Sequence, residues 1–196
     1  FDGFVDVYVD LQFSTYFVPS KLSAQDGMEV SLQNFEKVTI DGNVAATLLG
    51  SSAADTLIGD AGADVITGRA GADTLTGGSR ADKFIFSSGD TGITEATADT
   101  ITDFSTGTDK IDVDAPGTYV EADGTEIANL AAFITAANAS LTTNSDDIYA
   151  QYNFAGGGNT LVVVDEDKSG TVTTGDTLII LTGLSTAGGL DASDFI

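Results

Sequence analysis

Apolar residues return every nine positions through the middle of the chain. Leu48, Leu57, Ile66, Leu75 and Phe84 each centre a three-residue run: TLL, TLI, VIT, TLT and KFI. Six residues rich in Gly, Ala and Asp separate the runs. A period of nine is neither the ~3.6 of an amphipathic helix nor the alternation of a long strand. It predicts a very short strand whose middle side chain points inward, followed by a tight turn, over and over. One turn and one strand make half a coil, so two units complete a coil of a parallel β-roll. Leu57 then stacks on Leu75 in one sheet, and Ile66 on Phe84 in the other.

The flanks carry other patterns. Val5, Val7, Val9 and Leu11 alternate with Asp6, Tyr8, Asp10 and Gln12, as in a half-buried strand that Phe13, Thr15 and Phe17 extend toward a break at Pro19-Ser20. Met28–Asp41 sets apolar residues at Val30, Leu32, Phe35, Val38 and Ile40, which two short strands joined at Gln33-Asn34 would satisfy. Residues 1–40 are therefore expected to form irregular β coils that lead into the roll and cover its open end. A chain opening on Phe1 inside a strand is expected to continue a longer protein. Residues 41–86 are expected to hold the roll, and residues 87–196 a C-terminal cap. In that cap, Glu126–Ser140 predicts a helix with Thr125 as N-cap and an apolar stripe of Ile127, Leu130, Ala131, Ile134 and Ala137. Asp147–Phe154 predicts a strand with Ile148, Ala150, Tyr152 and Phe154 on one side. A turn at Gly156–Asn159 sends Leu161–Val164 back along it, and Thr177–Leu181 is the last strand. The fold class is all-β dominated: a parallel β-roll with a β-rich cap containing one short helix.

Aligned on the apolar period, four units need no gaps: Gly50–Ile58, Gly59–Thr67, Gly68–Thr76 and Gly77–Ile85. Each opens on glycine, and Asp55, Asp64, Asp73 and Asp82 hold the sixth place. Asp41–Leu49 continues the phase upstream, with Ala46 where the aspartate would stand. Successive turns fall on opposite edges, Asp55 and Asp73 on one, Asp64 and Asp82 on the other. Stacked carboxylates repel unless a cation bridges them. Calcium accepts about six to eight oxygens in flexible geometry, whereas magnesium demands strict geometry and dehydrates slowly. The two facing loop pairs therefore predict at least two calcium sites. The candidate ligand residues are Gly50, Ser52, Ala53 and Asp55 facing Gly68, Ala70, Gly71 and Asp73, and Gly59, Ala61, Gly62 and Asp64 facing Gly77, Ser79 and Asp82. Asp41 and Asp60 are candidates for flanking half-sites. The alternative is a metal-free Gly/Ala-rich solenoid whose aspartates only form turns.

Composition narrows the chemistry. The chain has no Cys and no His, which excludes disulfides, thiolate or His-based catalysis, and zinc or haem sites built on those ligands. Thirty acidic against 7 basic residues give a formal charge of −23, a field that repels nucleic acid and anionic lipid. Arg69, Arg80, Lys83 and Lys110 read as isolated solvated charges. At 42% hydrophobic residues the chain can bury a core. No apolar run is long enough to span a membrane, and no N-terminal signal peptide is visible. The regularly spaced carboxylates have a metal explanation and no separate catalytic group is indicated, so enzymatic activity is not expected of this region.

Two further acidic segments follow the repeats. In Asp99–Val113 (DTITDFSTGTDKIDV), Ile101, Phe104, Ile111 and Val113 are expected to pack on the roll. Asp99, Asp103, Asp109 and Asp112 either coordinate a further calcium or line a solvated turn and accept backbone N–H groups. Asp165–Asp176 (DEDKSGTVTTGD) has the ligand spacing of a calcium loop: Asp165, Asp167, Ser169, the Thr171 carbonyl, Thr173 and Asp176, around Gly170. Asp176 is shorter than the glutamate usual at that last place. The flanks LVVV and TLIIL read as strands, so the expectation is a calcium-binding β-turn loop, not a helix–loop–helix. A metal-free Asx-rich hairpin turn is the alternative.

The nonapeptides resemble those of the RTX family, glycine- and aspartate-rich repeats that bind calcium in a β-roll. That family carries glycine at places one, two and four. Here place two holds Ser51, Asp60, Arg69 and Gly78, and place four holds Ala53, Gly62, Gly71 and Arg80. Arg80 makes the loop around Asp82 the least regular. DTITDFSTGTDKIDV resembles the segment that closes such rolls in proteins exported by the type I secretion machinery. The terminal Asp194-Phe195-Ile196 resembles the uncleaved export signals of the same substrates. The resemblance implies export as an unfolded chain and calcium-driven folding outside the cell. A composition rich in Ala, Thr, Gly and Asp is similar to that of surface-layer proteins bearing these repeats. The expected function is thus a calcium-dependent folding and assembly module of a surface-layer subunit, secreted to the surface of a Gram-negative bacterium. Its expected partners are the type I machinery, copies of itself in a calcium-dependent array, and a surface glycan. An RTX adhesin, or the secretion and stabilisation module of an exported metalloprotease or lipase, are the alternatives.

Overall fold

The computed structural model describes residues 22–23, 29–31, 38–41, 45–114, 117–122, 127–141, 147–185 and 189–196. The strand expected from Val5 to Leu11, its extension to Phe17, the break at Pro19-Ser20, the Gln33-Asn34 junction and the Thr125 cap lie outside the described residues.

Each nine-residue unit forms a strand of three residues, because its six-residue turn leaves no more. These strands are β4 (Thr47–Leu49), β5 (Thr56–Ile58), β6 (Val65–Thr67), β7 (Thr74–Thr76) and β8 (Lys83–Ile85). All bury the middle residue and leave its neighbours half-buried. Leu48, Leu57, Ile66, Leu75 and Phe84 are at most 1% exposed. Each such burial contributes about 1.5–3 kcal/mol, set against the entropy of ordering glycine-rich turns.

Units two apart pair in parallel. Leu57 faces Leu75 in one sheet, and Leu48, Ile66 and Phe84 face one another in the second. Upstream, β1 (Leu22–Ser23) and β3 (Val38–Asp41) extend the first sheet, and β2 (Glu29–Ser31) the second. Downstream, the ladders run past residue 86. β9 (Asp99–Ile101) lies on β7 with Ile101 against Leu75, and β10 (Lys110–Asp112) lies on β8 with Ile111 against Phe84. The acidic segment therefore adds one more coil, with longer turns. Ile101, Phe104, Ile111 and Val113 all join the roll's core, and Phe104 packs at 6.3 Å from Phe84 between ring centres.

The cap grows from one face of the roll. β11 (Tyr119–Glu121), β12 (Ile148–Phe154), β13 (Asn159–Val164) and β14 (Thr177–Leu181) complete a nine-stranded sheet, order β1-β3-β5-β7-β9-β14-β13-β12-β11, beside the five-stranded β10-β8-β6-β4-β2. β12, β13 and β14 form an antiparallel meander, and β14 joins β9 in parallel. The edge that β9 would otherwise expose is thereby covered. α1 (Leu130–Ser140) packs on the outer face of this meander.

Two details of the cap differ from the sequence expectation. The helix starts after Asn129, whose side chain accepts the Ala132 N–H, an arrangement asparagine favours. Its buried face is set by Phe133 and Ala137, while Ala131 is exposed. Phe133 is the bulkiest side chain available and packs at 5.5 Å from Tyr149, which rotates the stripe. In β12, the register slips between Gln151 and Phe154, with Asn153 in the left-handed region at φ 54°. One extra residue inverts the alternation, so Phe154 joins Tyr149 on the helix side and not Ile148, Ala150 and Tyr152.

The C-terminus is part of the roll. A 3-10 turn, Ala192–Asp194, closed by a capping box on Asp191, delivers Phe195 to the free edge of β10. The Ile196 N–H donates to Ile111 O at 3.0 Å, and the Val113 N–H to Ile196 O at 3.1 Å. Phe195 is 4% exposed and stacks on Tyr119 at 5.5 Å.

Candidate metal centre

The aspartates form two columns, one along each edge of the roll. On the first edge, Oδ1 of Asp73 accepts the Asp55 N–H, and Oδ1 of Asp99 accepts the Asp73 N–H, each at 2.8 Å. On the second, Asp64 accepts from Ala46 and Asp82 from Asp64 at 2.8 Å, and Asp109 accepts from Asp82 at 3.0 Å. Each carboxylate thus fixes the start of the strand in the preceding coil. These aspartates are all at most 4% exposed.

Their second oxygens are not alike. Oδ2 of Asp64, Asp73, Asp82 and Asp99 is buried and accepts no hydrogen bond. A buried carboxylate oxygen without a partner is costly. Burial pushes Asp73 and Asp82 up to about 7 and Asp99 up to about 8, against the pull of the N–H bond each accepts. Asp64 and Asp109 are raised too, first by burial. The opening glycines make room for these oxygens. A Cβ on Gly59 would lie 2.8 Å from Gly77 O and closer still to Asp64 Oδ2. At Gly50 it would lie 2.9 Å from Asp55 Oδ2 and closer to Gly68 O. Gly68 and Gly77 face Asp73 and Asp82 in the same way. Buried anionic oxygens beside carbonyls of the adjoining coil are the donor set that a hard cation such as calcium takes.

Three of the five places where another residue replaces the family's glycine keep glycine's backbone. Asp60, Arg69 and Arg80 have φ of 74°, 68° and 86°, a conformation that favours glycine. The loop at Arg80 is not disrupted: Asp82 is bonded and buried like its equivalents. The Asp60 carbonyl accepts the Ser79 N–H at 2.7 Å.

Other candidates are held by the protein itself. Ser51 donates both its N–H, at 2.6 Å, and its hydroxyl, at 2.9 Å, to Asp55 Oδ2, and Arg69 donates to Gly50 O at 3.2 Å. Asp109 Oδ2 accepts the Ser105 N–H at 2.8 Å. Asp103 accepts from Gly77 and Gly78, fastening its turn to theirs. Asp112 pairs with Lys83 at 2.8 Å across the sheet face, away from the columns. Lys110 donates to Ser193 O and lies 3.6 Å from buried Asp194. Arg69, Lys83 and Lys110 are therefore not isolated charges: a turn carbonyl, a neighbouring strand and the C-terminal turn each supply a partner. Neither Ser51 as a partner of Asp55 nor Asp194 as a partner of Lys110 is marked by a motif, because these contacts depend on the geometry of a turn and on pairing across the chain's length.

A separate cluster lies in the β13–β14 connection. Asp165, Asp167 and Asp176 each bring a carboxylate oxygen within 4.8 Å of the others, the one such triad among the described residues. Asp165 accepts the Ser169 and Gly170 N–H groups at 3.1 and 2.7 Å. Thr173 donates its hydroxyl to Asp167 at 2.7 Å, and Ser169 donates to the Thr171 carbonyl at 2.8 Å. Burial raises Asp165 and Asp176, while the Thr173 and Ser169 hydroxyls lower exposed Asp167. The flanking elements are strands, as the sequence indicates.

Residues 49–83 match the family described as RTX calcium-binding nonapeptide repeat, in four copies. No curated protein matches the chain. Among solved structures, the chain is similar to the AlgE6R2 subunit of a mannuronan C5-epimerase from Azotobacter vinelandii. The identity is 23%, the TM-score 0.52, and the match covers 88% of this chain and 92% of that one. It is similar as well to the AlgE6R3 subunit of that enzyme, with 22% identity, TM-score 0.50 and coverage of 93% and 86%. These likenesses are of fold. The repeats are calcium-binding RTX repeats, the architecture is their β-roll, and repeats of this kind are typical of secreted proteins. Among the described residues, no helix is long and apolar enough to cross a membrane.

Proposed function

We propose that this region is a calcium-gated folding module of a secreted cell-surface protein. The observation that carries the reading is the set of four buried carboxylate oxygens without partners, at Asp64, Asp73, Asp82 and Asp99, stacked in the register of calcium-binding repeats. Calcium, when bound, supplies the positive charge that makes these desolvated carboxylates favourable. The chain's own residues do the rest. The aspartates tie coil to coil through Oδ1 and offer Oδ2, and the opening glycines leave the space.

Where calcium is scarce, charge and chain entropy keep the module open. Where calcium is plentiful, ligation and folding are one event. That order of events suits export by a type I machinery, which takes an unfolded chain, and the DFI terminus is its signal in this reading. The Ala-, Thr-, Gly- and Asp-rich composition with 7 basic residues supports a surface-layer subunit that assembles with its own copies on a surface glycan. A second reading has one observation in its favour: both similar structures are subunits of an epimerase. In it, the region is the non-catalytic module of an exported enzyme.

The test is a calcium titration after chelation, followed by far-UV circular dichroism and calorimetry, with magnesium as control. A cooperative coil-to-β transition with at least two bound ions is expected. Complete folding without calcium and no stoichiometric binding refutes the proposal. Electron microscopy of the calcium-loaded chain separates the two readings: ordered arrays support the surface layer, and dispersed monomers the enzyme module.

A further inference from the structure

The aspartates stacked on the two edges fall into two kinds. Oδ2 is buried and free in Asp64, Asp73, Asp82 and Asp99. In Asp55 it accepts the Ser51 N–H at 2.6 Å and the Ser51 hydroxyl at 2.9 Å, and in Asp109 it accepts the Ser105 N–H at 2.8 Å. The residue four places before the aspartate separates the kinds. It is Asp60, Arg69, Gly78 or Glu95 where Oδ2 is free, and Ser51 or Ser105 where Oδ2 is engaged. Asp60, Arg69 and Gly78 stand in the left-handed region, at φ 74°, 68° and 100°, and neither serine does. The first edge has a second contact of this kind. Arg69 reaches back from the next turn on that edge and donates to Gly50 O at 3.2 Å.

We infer that the turn pair Gly50–Asp55 and Gly68–Asp73 closes without calcium, because Ser51 and Arg69 hold the Asp55 Oδ2 and the Gly50 carbonyl that an ion would otherwise take. The inference rests on the calcium-gated reading of the other aspartates, and it removes from that reading one turn pair that the repeat pattern alone would count as a site. Hydrogen bonds to a carboxylate are about twice as strong as neutral ones, and an entering ion has to break two of them here. Ser51 and Asp55 are 8% and 4% exposed, so water does little to loosen them. A guanidinium stays charged, and beside the Gly50 carbonyl it repels a second cation. The residue at place two of the nonapeptide thus decides, turn by turn, whether the aspartate serves a cation or the chain itself. Ser105 plays the same part for Asp109 on the other edge, through its N–H alone.

The test restores the family's glycine at both places. Ser51→Gly/Arg69→Gly is compared with wild type and with Arg80→Gly. The last also restores a glycine and removes one positive charge, but in a turn whose Asp82 Oδ2 is already free. Calcium stoichiometry of the whole chain is read by calorimetry. The double variant is expected to bind one ion more than wild type, and Arg80→Gly the wild-type number. An unchanged count in the double variant overturns the inference alone, and so does an equal rise in both variants. A wild-type chain that binds no calcium overturns the proposed function and the inference with it. If the double variant does not fold, anomalous diffraction from calcium-loaded wild-type crystals decides. Peaks beside Asp64 and Asp82 with none about 2.3–2.6 Å from Asp55 Oδ2 uphold the inference, and a peak there overturns it.

Discussion

Stripped of calcium, the protein should gain stability as the solution is acidified from about pH 7 to about pH 5, the reverse of ordinary acid denaturation. Burial holds Asp73 and Asp82 up to about 7 and Asp99 up to about 8 in the fold. In the unfolded chain an aspartate titrates near 3.9. Between those values the folded chain keeps protons that the unfolded chain has released. Stability is therefore full below the unfolded value and is lost as pH rises through the folded ones, by at most about 1.4 kcal/mol per unit for each group. Three groups over two pH units give an upper bound of roughly 8 kcal/mol. Water reaching the turn edges reduces this two- to threefold, to about 3–4 kcal/mol. A domain is stable by only about 5–15 kcal/mol, so the effect decides whether the calcium-free roll persists at neutral pH. For a chain of 196 residues it corresponds to roughly 10 °C in Tm. Chelated protein melted across this pH range by circular dichroism reads it directly. A parallel series in excess calcium should show the opposite order, because protons compete with the ion for the same oxygens. A chelated Tm that stays level or rises toward neutral pH would refute the reasoning, since the carboxylates would then be solvated or already neutralised by the protein.

Leu75→Ala opens a void between Leu57 and Ile101 in the first sheet and should cost about 2–5 kcal/mol, seen as a lower Tm with and without calcium. Gly59→Ala drives a methyl group against Asp64 and Gly77 O. About 1–3 kcal/mol of overpacking predicts calcium binding weakened roughly tenfold or more by calorimetry. Phe195→Ala should cost about 3–5 kcal/mol in a melt, because the ring is buried against Tyr119; an unchanged Tm would refute a structural role for the terminus. Lys83→Ala removes an ion pair whose partners are 37% and 32% exposed, and its Tm should move by less than ~1 kcal/mol allows.

The period of nine made the roll legible, since each central residue from Leu48 to Phe84 is inward and each pairing follows. The cap strands were legible for a similar reason, being apolar runs bounded by turns. The failures lie where a long-range contact decides. Nothing near Phe133 in the sequence says that Tyr149 will meet it, so the expected stripe omits Phe133 and includes the exposed Ala131, although Ile127, Leu130, Ile134 and Ala137 do pack on the core. The slip at Asn153 that turns Phe154 over is a backbone event with a weak sequence mark. At the site, the columns were legible but their oxygens were not. Which Oδ2 atoms stay free depends on Ser51 and Ser105, and a nonapeptide alignment gives neither residue a role.

The repeat in the structure is shorter and more persistent than the repeat in the sequence. From Asp55 onward, each coil on these edges starts its strand with an aspartate and buries the side chain two residues later: Asp55 and Leu57, Asp64 and Ile66, Asp73 and Leu75, Asp82 and Phe84, Asp99 and Ile101, Asp109 and Ile111. Each half of that pair has its own cause. The apolar residue fills the column of core, and the aspartate's Oδ1 pins the strand of the preceding coil wherever that coil's N–H is described. Neither task constrains how the chain travels between one strand and the next. The turn therefore needs glycine where it runs close beside a carboxylate or the backbone of the stack, as at Gly59 and Gly78. Turns set farther out can lengthen, as before Asp99 and Asp109, and the roll continues while the glycine signature disappears. The family's nonapeptide match ends at residue 83, whereas the pattern of an aspartate followed two residues later by a large apolar residue continues through Ile111. Along these edges the free carboxylate oxygens follow which aspartates escape an N–H or hydroxyl partner, not the number of nonapeptides.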